Sequence, residues 1–143
     1  MSEANEGVVR EFLALFHATE LDLAKIRAHL APAARWQPIV PLAPPVEGPD
    51  AICAEAERQY RIYADCDCVV LKIASNGDTV FTERVDRVRL LADDREIITR
   101  VTGVFGLDEQ GRILWWREYW DALDVAGQIG VSGEHMKAMM QSA

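Results

Sequence analysis

Two charged residues stand where a strand should be apolar. In the run VFTERVDRVRLL, Val80 to Leu91, alternation places Val80, Thr82, Arg84, Asp86, Val88 and Leu90 on one face. Phe81, Glu83, Val85, Arg87, Arg89 and Leu91 fall on the other, which carries its charges to water. The first face is apolar apart from Arg84 and Asp86, and a charge at a core-facing position is costly unless it is paired or used. A later run, RILWWREYWD, repeats the intrusion: Leu114, Trp116, Glu118 and Trp120 share a face, so a carboxylate lies between two tryptophans. Arg is the side chain able to join these groups, because its planar fork holds two carboxylates in a fixed geometry. Two carboxyls beside one cation in an apolar pocket do not ionise alike. The cation lowers a carboxyl pKa, while burial and a second negative charge raise it. One then stays an anion while the other keeps a proton near neutral pH, so a base and an acid face one cavity. The competing reading is a buried ion-pair network that only fixes sheet register.

Positioning these three residues requires a sheet. Apolar stripes at helical spacing predict helices over 3–18 and 21–30, the second stopped by Pro32. The segment 33–50 holds five of the six prolines and reads as a rigid, extended or looped connection. Asp50 is placed to cap a third helix over 51–64. The periodicity then turns extended, with strands over 66–75, 79–91, 96–107 and 112–121 separated by polar turns. Three N-terminal helices packed on one face of a curved, mostly antiparallel sheet make an α+β fold in a single domain. In a meander, one strand separates Arg84 and Asp86 from Glu118, a gap of about 10 Å that curvature toward the helices shortens. Gly103, on the intervening strand, gives the sheet room to bend or a substrate room to fit. From Gly127 the tail is expected to be irregular or a short surface helix, with Met136, Met139 and Met140 on its apolar side.

Composition narrows the function classes. A net charge of -8 and a pI near 4.8 speak against a nucleic-acid partner, which requires a clustered basic surface. No stretch is long and apolar enough for a membrane span, and MSEANEG lacks the character of a signal peptide, so a cytoplasmic protein is expected. Cys53, Cys66 and Cys68 lack the spacing of a zinc motif or a disulfide framework and read as buried, inert thiols. His17, His29 and His135 are scattered without carboxylate clusters at ligand spacing, so no metal site is expected. Ile113, Trp115, Arg117 and Tyr119 form an outer face rich in large amphipathic groups. That face suits a homodimer interface or coverage by the tail.

FTERVD at Phe81 to Asp86, GVF at Gly103 to Phe105 and GRILWWREYWD together resemble the limonene-1,2-epoxide hydrolase family. The resemblance extends from the first helix to Asp121. It implies the cone-shaped α+β fold shared with polyketide cyclases, ketosteroid isomerases and nuclear transport factor 2, usually as homodimers. It also implies that Arg84 is the bridging Arg, Asp86 the base that activates water and Glu118 the general acid, which is usually Asp. No cofactor is implied. In the proline-rich segment the family has a Tyr and an Asn that help to hold the attacking water; Trp36 and Pro38 stand at the matching positions. Gln37, Tyr60, Tyr63 or Thr99 would then orient the water, or water is not the nucleophile. Val88, Val101, Phe105, Trp116 and Trp120 are the expected walls of a pocket for a small apolar epoxide, cyclic or terpenoid-like. Two other readings share this pocket: an intramolecular cyclase or isomerase with the same acid and base, and a binding protein without turnover.

Overall fold

The computed structural model describes residues 2–141. Helix α1 (Ser2–Ala14) and the short α2 (Leu23–Ala28) open the chain, followed by strand β1 (Leu30–Gln37) and the two-residue β2 (Val46–Glu47). Helix α3 (Pro49–Gln59) leads into the sheet proper: β3 (Tyr63–Asn76), β4 (Thr79–Leu90), β5 (Glu96–Leu107) and β6 (Ile113–Trp120). Two further helices follow, α4 (Ala122–Ile129) and α5 (Gly133–Gln141). The six strands form one sheet in the order β2-β1-β6-β5-β4-β3. Only β1 on β6 is parallel; the remaining pairs are antiparallel. This is the α+β class expected, with its helices on a mostly antiparallel sheet.

Five local expectations require correction, one of them Ile113, expected on the outer face of the last strand but fully buried in the core, where the β5–β6 ladder shifts register between Gly106 and Leu107. The segment LAPAARWQ is a strand rather than a connection, and the sheet has six strands rather than four. Its signal is weak because its partner, β6, is distant in sequence. Pro32 also falls in the irregular stretch of register between Leu30 and Arg35, where no ladder donor is demanded. Helix α1 stops at Ala14, where amides of Leu15 and Phe16 turn back to the carbonyls of Phe12 and Leu13. Helix α3 begins earlier and ends earlier than expected: Gly48 is its N-cap, Pro49 occupies its first turn, and Asp50 lies within that turn instead of capping it. The segment after Trp120 is two helices, the first capped by Asp121, whose carboxylate accepts from the amides of Leu123 and Asp124 at 3.0 Å each.

Apolar side chains gather at two ends. At one, Val9, Phe12 and Leu13 of α1 pack with Ile52 and Ala56 of α3 against Val80, Phe105, Ile113 and Trp116 of the sheet. At the other, Val125, Ala126 and Met136 from the C-terminal helices close over Leu90 and Ile97. Met136 is buried, so the tail seals the sheet's far end instead of lying loose on the surface. The inner face of the sheet between these clusters carries the charged residues.

Candidate functional site

Register places the charged groups together. Arg84 and Asp86 are two residues apart on β4, on its inner face. Across β5, Thr82 pairs with Gly103, and Gly103 in turn pairs with Glu118 of β6. A Cβ built on Gly103 would lie 2.3 Å from Arg84 Nη1, 2.8 Å from Glu118 Oε2 and 3.0 Å from Thr82 Oγ1. The missing side chain on the middle strand is therefore the window through which a β4 arginine reaches a β6 carboxylate. Gly103 makes room for the guanidinium itself, a more specific role than the bend or substrate space expected of it.

Arg84 fills that window with every nitrogen engaged. Its Nε donates to Asp86 Oδ1 at 3.0 Å and its Nη2 to Asp86 Oδ2 at 2.8 Å. The same Nη2 donates to Glu118 Oε2 at 2.8 Å, and Nη1 donates to Thr82 Oγ1 at 3.1 Å. The Thr82 hydroxyl in turn donates to the Gly103 carbonyl at 3.2 Å. The Arg84 side chain is 1% exposed. Burial opposes its charge, but the carboxylates of Glu118 and Asp86 more than compensate and hold its pKa above the ordinary arginine value. Glu118 is shifted the other way. Burial pushes its carboxyl pKa up, Arg84 pulls it down, and the negative charge of Asp86 pushes it up again, leaving it raised. Glu118 is thus the carboxyl that keeps its proton to higher pH than an ordinary glutamate.

Both carboxylates line a cavity of about 160 Å³ between the sheet and the helices. Trp36, Tyr63, Val88, Thr99, Val101 and Trp120, all predicted pocket residues, line it as well. Tyr60, Phe105 and Trp116 do not. They belong to the packed end of the sheet: Trp116 stacks on Trp36 at 4.3 Å between ring centroids and on Phe105 at 5.9 Å, and the Tyr60 hydroxyl donates to the Phe16 carbonyl. Gln37 is also occupied elsewhere, its Nε2 donating to the Ala43 carbonyl at 2.9 Å. Of the four residues proposed to orient a water, Tyr63 and Thr99 border the cavity. Tyr63 donates to Gln59 Oε1 at 2.6 Å, and burial drives its pKa well up, so it remains a neutral phenol. The Trp36 indole nitrogen is buried and has no hydrogen-bond partner among the described residues.

Sequence reasoning missed several lining residues. Arg58 and Gln59 reach the cavity from the end of α3, beside the buried Glu55 that binds them both. Val125, Ile129, Met136, Met139 and Met140 reach it from the C-terminal helices. Val125 and Ile129 on α4, and Met136, Met139 and Met140 on α5, are each at helical spacing, a visible signal of one apolar face per helix, but their target became legible only with the sheet in place. Cys66 lines the same wall. It faces inward alongside Tyr63 because the ladder to β4 shifts register between Ala64 and Asp67, with Asp65 at a φ of 59°.

Helices close one face of a curved α+β sheet around a buried arginine that holds two carboxylates at the wall of a cavity. The chain belongs to the limonene-1,2-epoxide hydrolase family: residues 3–130 match that family's catalytic domain. Among solved structures, an LEH-like epoxide hydrolase of M. tuberculosis superposes with a TM-score of 0.74 at 22% identity, covering 88% of this chain and 89% of that one. A protein of ketosteroid isomerase-like fold from Catenulispora acidiphila, in complex with trimethylamine, gives 0.77 at 14% identity over 89% and 95% of the two chains. A protein described as a SnoaL-like polyketide cyclase from Shewanella denitrificans gives 0.77 at 10% identity over 88% and 96%. The fold is therefore shared with hydrolase-like, isomerase-like and cyclase-like proteins. No helix among the described residues is long and apolar enough to cross a membrane.

Proposed function

We propose that this protein is an epoxide hydrolase that adds water in one step to a small apolar epoxide, cyclic or terpenoid-like, and releases a diol. The observation that carries the reading is the doubly bridged Arg84, which holds Asp86 and Glu118 at one wall of one cavity. Asp86 accepts a proton from water as the water oxygen bonds to an epoxide carbon. The carbon–oxygen bond of the ring breaks, and Glu118 gives its proton to the departing oxygen. Asp86 then holds the added proton and Glu118 is the anion, and exchange with solvent resets the pair. Arg84 keeps both carboxyls oriented throughout, so positioning and proton transfer supply the catalysis and ring strain the driving force. The raised pKa of Glu118 supports its assignment as the acid.

One observation favours a second reading. Trp36 and Pro38 replace the Tyr and Asn that hold water in the family, and the cavity wall around them is mainly apolar. A hydroxyl or acidic carbon of the substrate could take the place of water, which would make the reaction an intramolecular cyclisation or a double-bond shift. Product mass separates the two. With isotopically labelled water, hydrolysis yields a diol carrying the label, whereas cyclisation or isomerisation yields a product of unchanged mass. Asp86→Asn should abolish either turnover; a fully active variant would sink the role given to Asp86.

We also assign the outer sheet face to a second copy of the chain. Val69, Leu71, Phe81, Ile98 and Tyr119 are apolar or aromatic groups exposed there. Light scattering should give twice the chain mass, and Phe81→Lys should return it to one.

A further inference from the structure

The proposed reaction uses neither of the two thiols beside its base. We propose that Cys66, Cys68 and Asp86 form a binding site for a thiophilic divalent cation, zinc or cadmium. Their sulfur and carboxylate oxygen atoms all lie within 4.8 Å of one another, and the two sulfurs are 3.5 Å apart. Tetrahedral zinc with thiolate and carboxylate ligands spaces its donor atoms by roughly 3.5–3.8 Å, so the thiol pair already stands at chelating separation. Sequence spacing hid the third ligand. A Cys-x-Cys pair alone is not a zinc motif, but Cys68 pairs directly with Asp86 across the β3–β4 ladder, and Cys66, two residues before it, shares its face.

The two objections to such a site are answered by the chemistry around it. Asp86 is already gripped by Arg84, but that fork takes one acceptor direction on each oxygen, and a carboxylate oxygen has two. A cation beside a buried guanidinium would ordinarily be repelled. Here two thiolates and one divalent ion sum to zero, so the loaded site adds no net charge to the Arg84–Asp86 pair, and the two thiol protons leave for solvent. Access is available on both sides: Cys66 borders the main cavity, while Cys68 borders a second hollow under α1 with Arg10 and His17. A seated ion draws charge from the Asp86 carboxylate and makes it a weaker base toward water. Inhibition of turnover therefore rests on the hydrolase reading, whereas binding does not.

Cadmium titrated into the reduced full chain should give a cadmium–thiolate charge-transfer band that saturates at one equivalent and is displaced by zinc. Cys66→Ser and Cys68→Ser should each weaken it and together abolish it, and Asp86→Asn should weaken binding about tenfold or more. In the unaltered protein, zinc should slow alkylation of Cys66 and Cys68, as mapped by mass spectrometry, which keeps the test independent of how the variants fold. No band, a band that survives the Cys66→Ser and Cys68→Ser changes together, or unchanged alkylation would overturn the site whatever the enzyme's activity. A seated ion that leaves Asp86-dependent turnover of an epoxide unchanged would overturn Asp86 as its ligand.

Discussion

Two arginine–carboxylate clusters face the same cavity, and they are built in opposite ways. Arg58 meets Glu55 one helical turn away on α3, its Nε and Nη2 donating at 2.8 and 2.7 Å, and Gln59 adds a third bond at 2.9 Å. The Tyr63 hydroxyl, on Gln59, joins them from outside that helix. The Arg58 side chain is 29% exposed and has water as an alternative partner. Arg84 is 1% exposed, and its partners arrive from β4 and, through the Gly103 window, from β6. A cluster made by one helix turn degrades in increments. A cluster made by three strands has no neighbouring side chain to replace a lost member, and its arginine is shut off from solvent, so it fails as a unit.

The sharpest way to break the contrast is to remove each arginine. Arg84→Met leaves two buried carboxylates without their cation and should cost about 3–5 kcal/mol in urea denaturation, with loss of turnover. A cost below about 1 kcal/mol would mean that the carboxyls share a proton and need no cation. Glu118→Gln keeps the shape but removes the transferable proton, so turnover of an epoxide should fall about 10²–10⁴-fold.

Glu118 also gives the contrast a pH signature. Its folded pKa is raised above the ordinary value of 4.5, so between these two values the native state holds more protons than the unfolded state. The stability this contributes is fully present below 4.5 and is lost as pH rises through the folded value. Denaturation of Glu118→Gln followed against pH should lack that slope. The rate should likewise decline on the alkaline side of the folded value, where the acid has lost its proton.

Gly103→Ala tests the window between the strands. Its methyl would sit against Arg84 Nη1 and Glu118 Oε2, costing about 1–3 kcal/mol by overpacking and pushing the guanidinium off one carboxylate. Turnover should drop further than that stability loss explains; an active variant of normal stability would show that Arg84 can bridge without the gap. The smallest effect is expected at the helical cluster. Arg58→Ala leaves the Glu55 carboxylate its bond from Gln59 and opens it to the solvent that Arg58 shields, at about 1–2 kcal/mol by thermal melting, and changes kcat by less than about tenfold.

The inner face of β4 was legible because period-two alternation is strict: Arg84 and Asp86 could only be inward if Val80, Val88 and Leu90 were. Glu118 between Trp116 and Trp120 was legible for the same reason. Strand β1 was not, since LAPAARWQ has no β-branched residue and its parallel partner lies about eighty residues on. The pocket list divided along depth. Alternation puts Phe105 and Trp116 on the inner face beside Val101 and Trp120, but it cannot say which lie in packed core and which border the cavity; that depends on where α1 lands.

By itself the sequence determined the α+β class, the inward-facing positions of Arg84, Asp86 and Glu118 on β4 and β6, and the identity of these as three charged residues that an apolar face cannot carry without mutual pairing. Tertiary structure decided how they meet. Arg84 reaches Glu118 because Gly103 stands between them, Cys66 joins the cavity because a bulge offsets β3, and Met136 closes it because α4 and α5 fold back over Leu90 and Ile97. Alternation is a property of each strand alone. Depth, cross-strand register and closure depend on several elements packing at once, and no single segment encodes them.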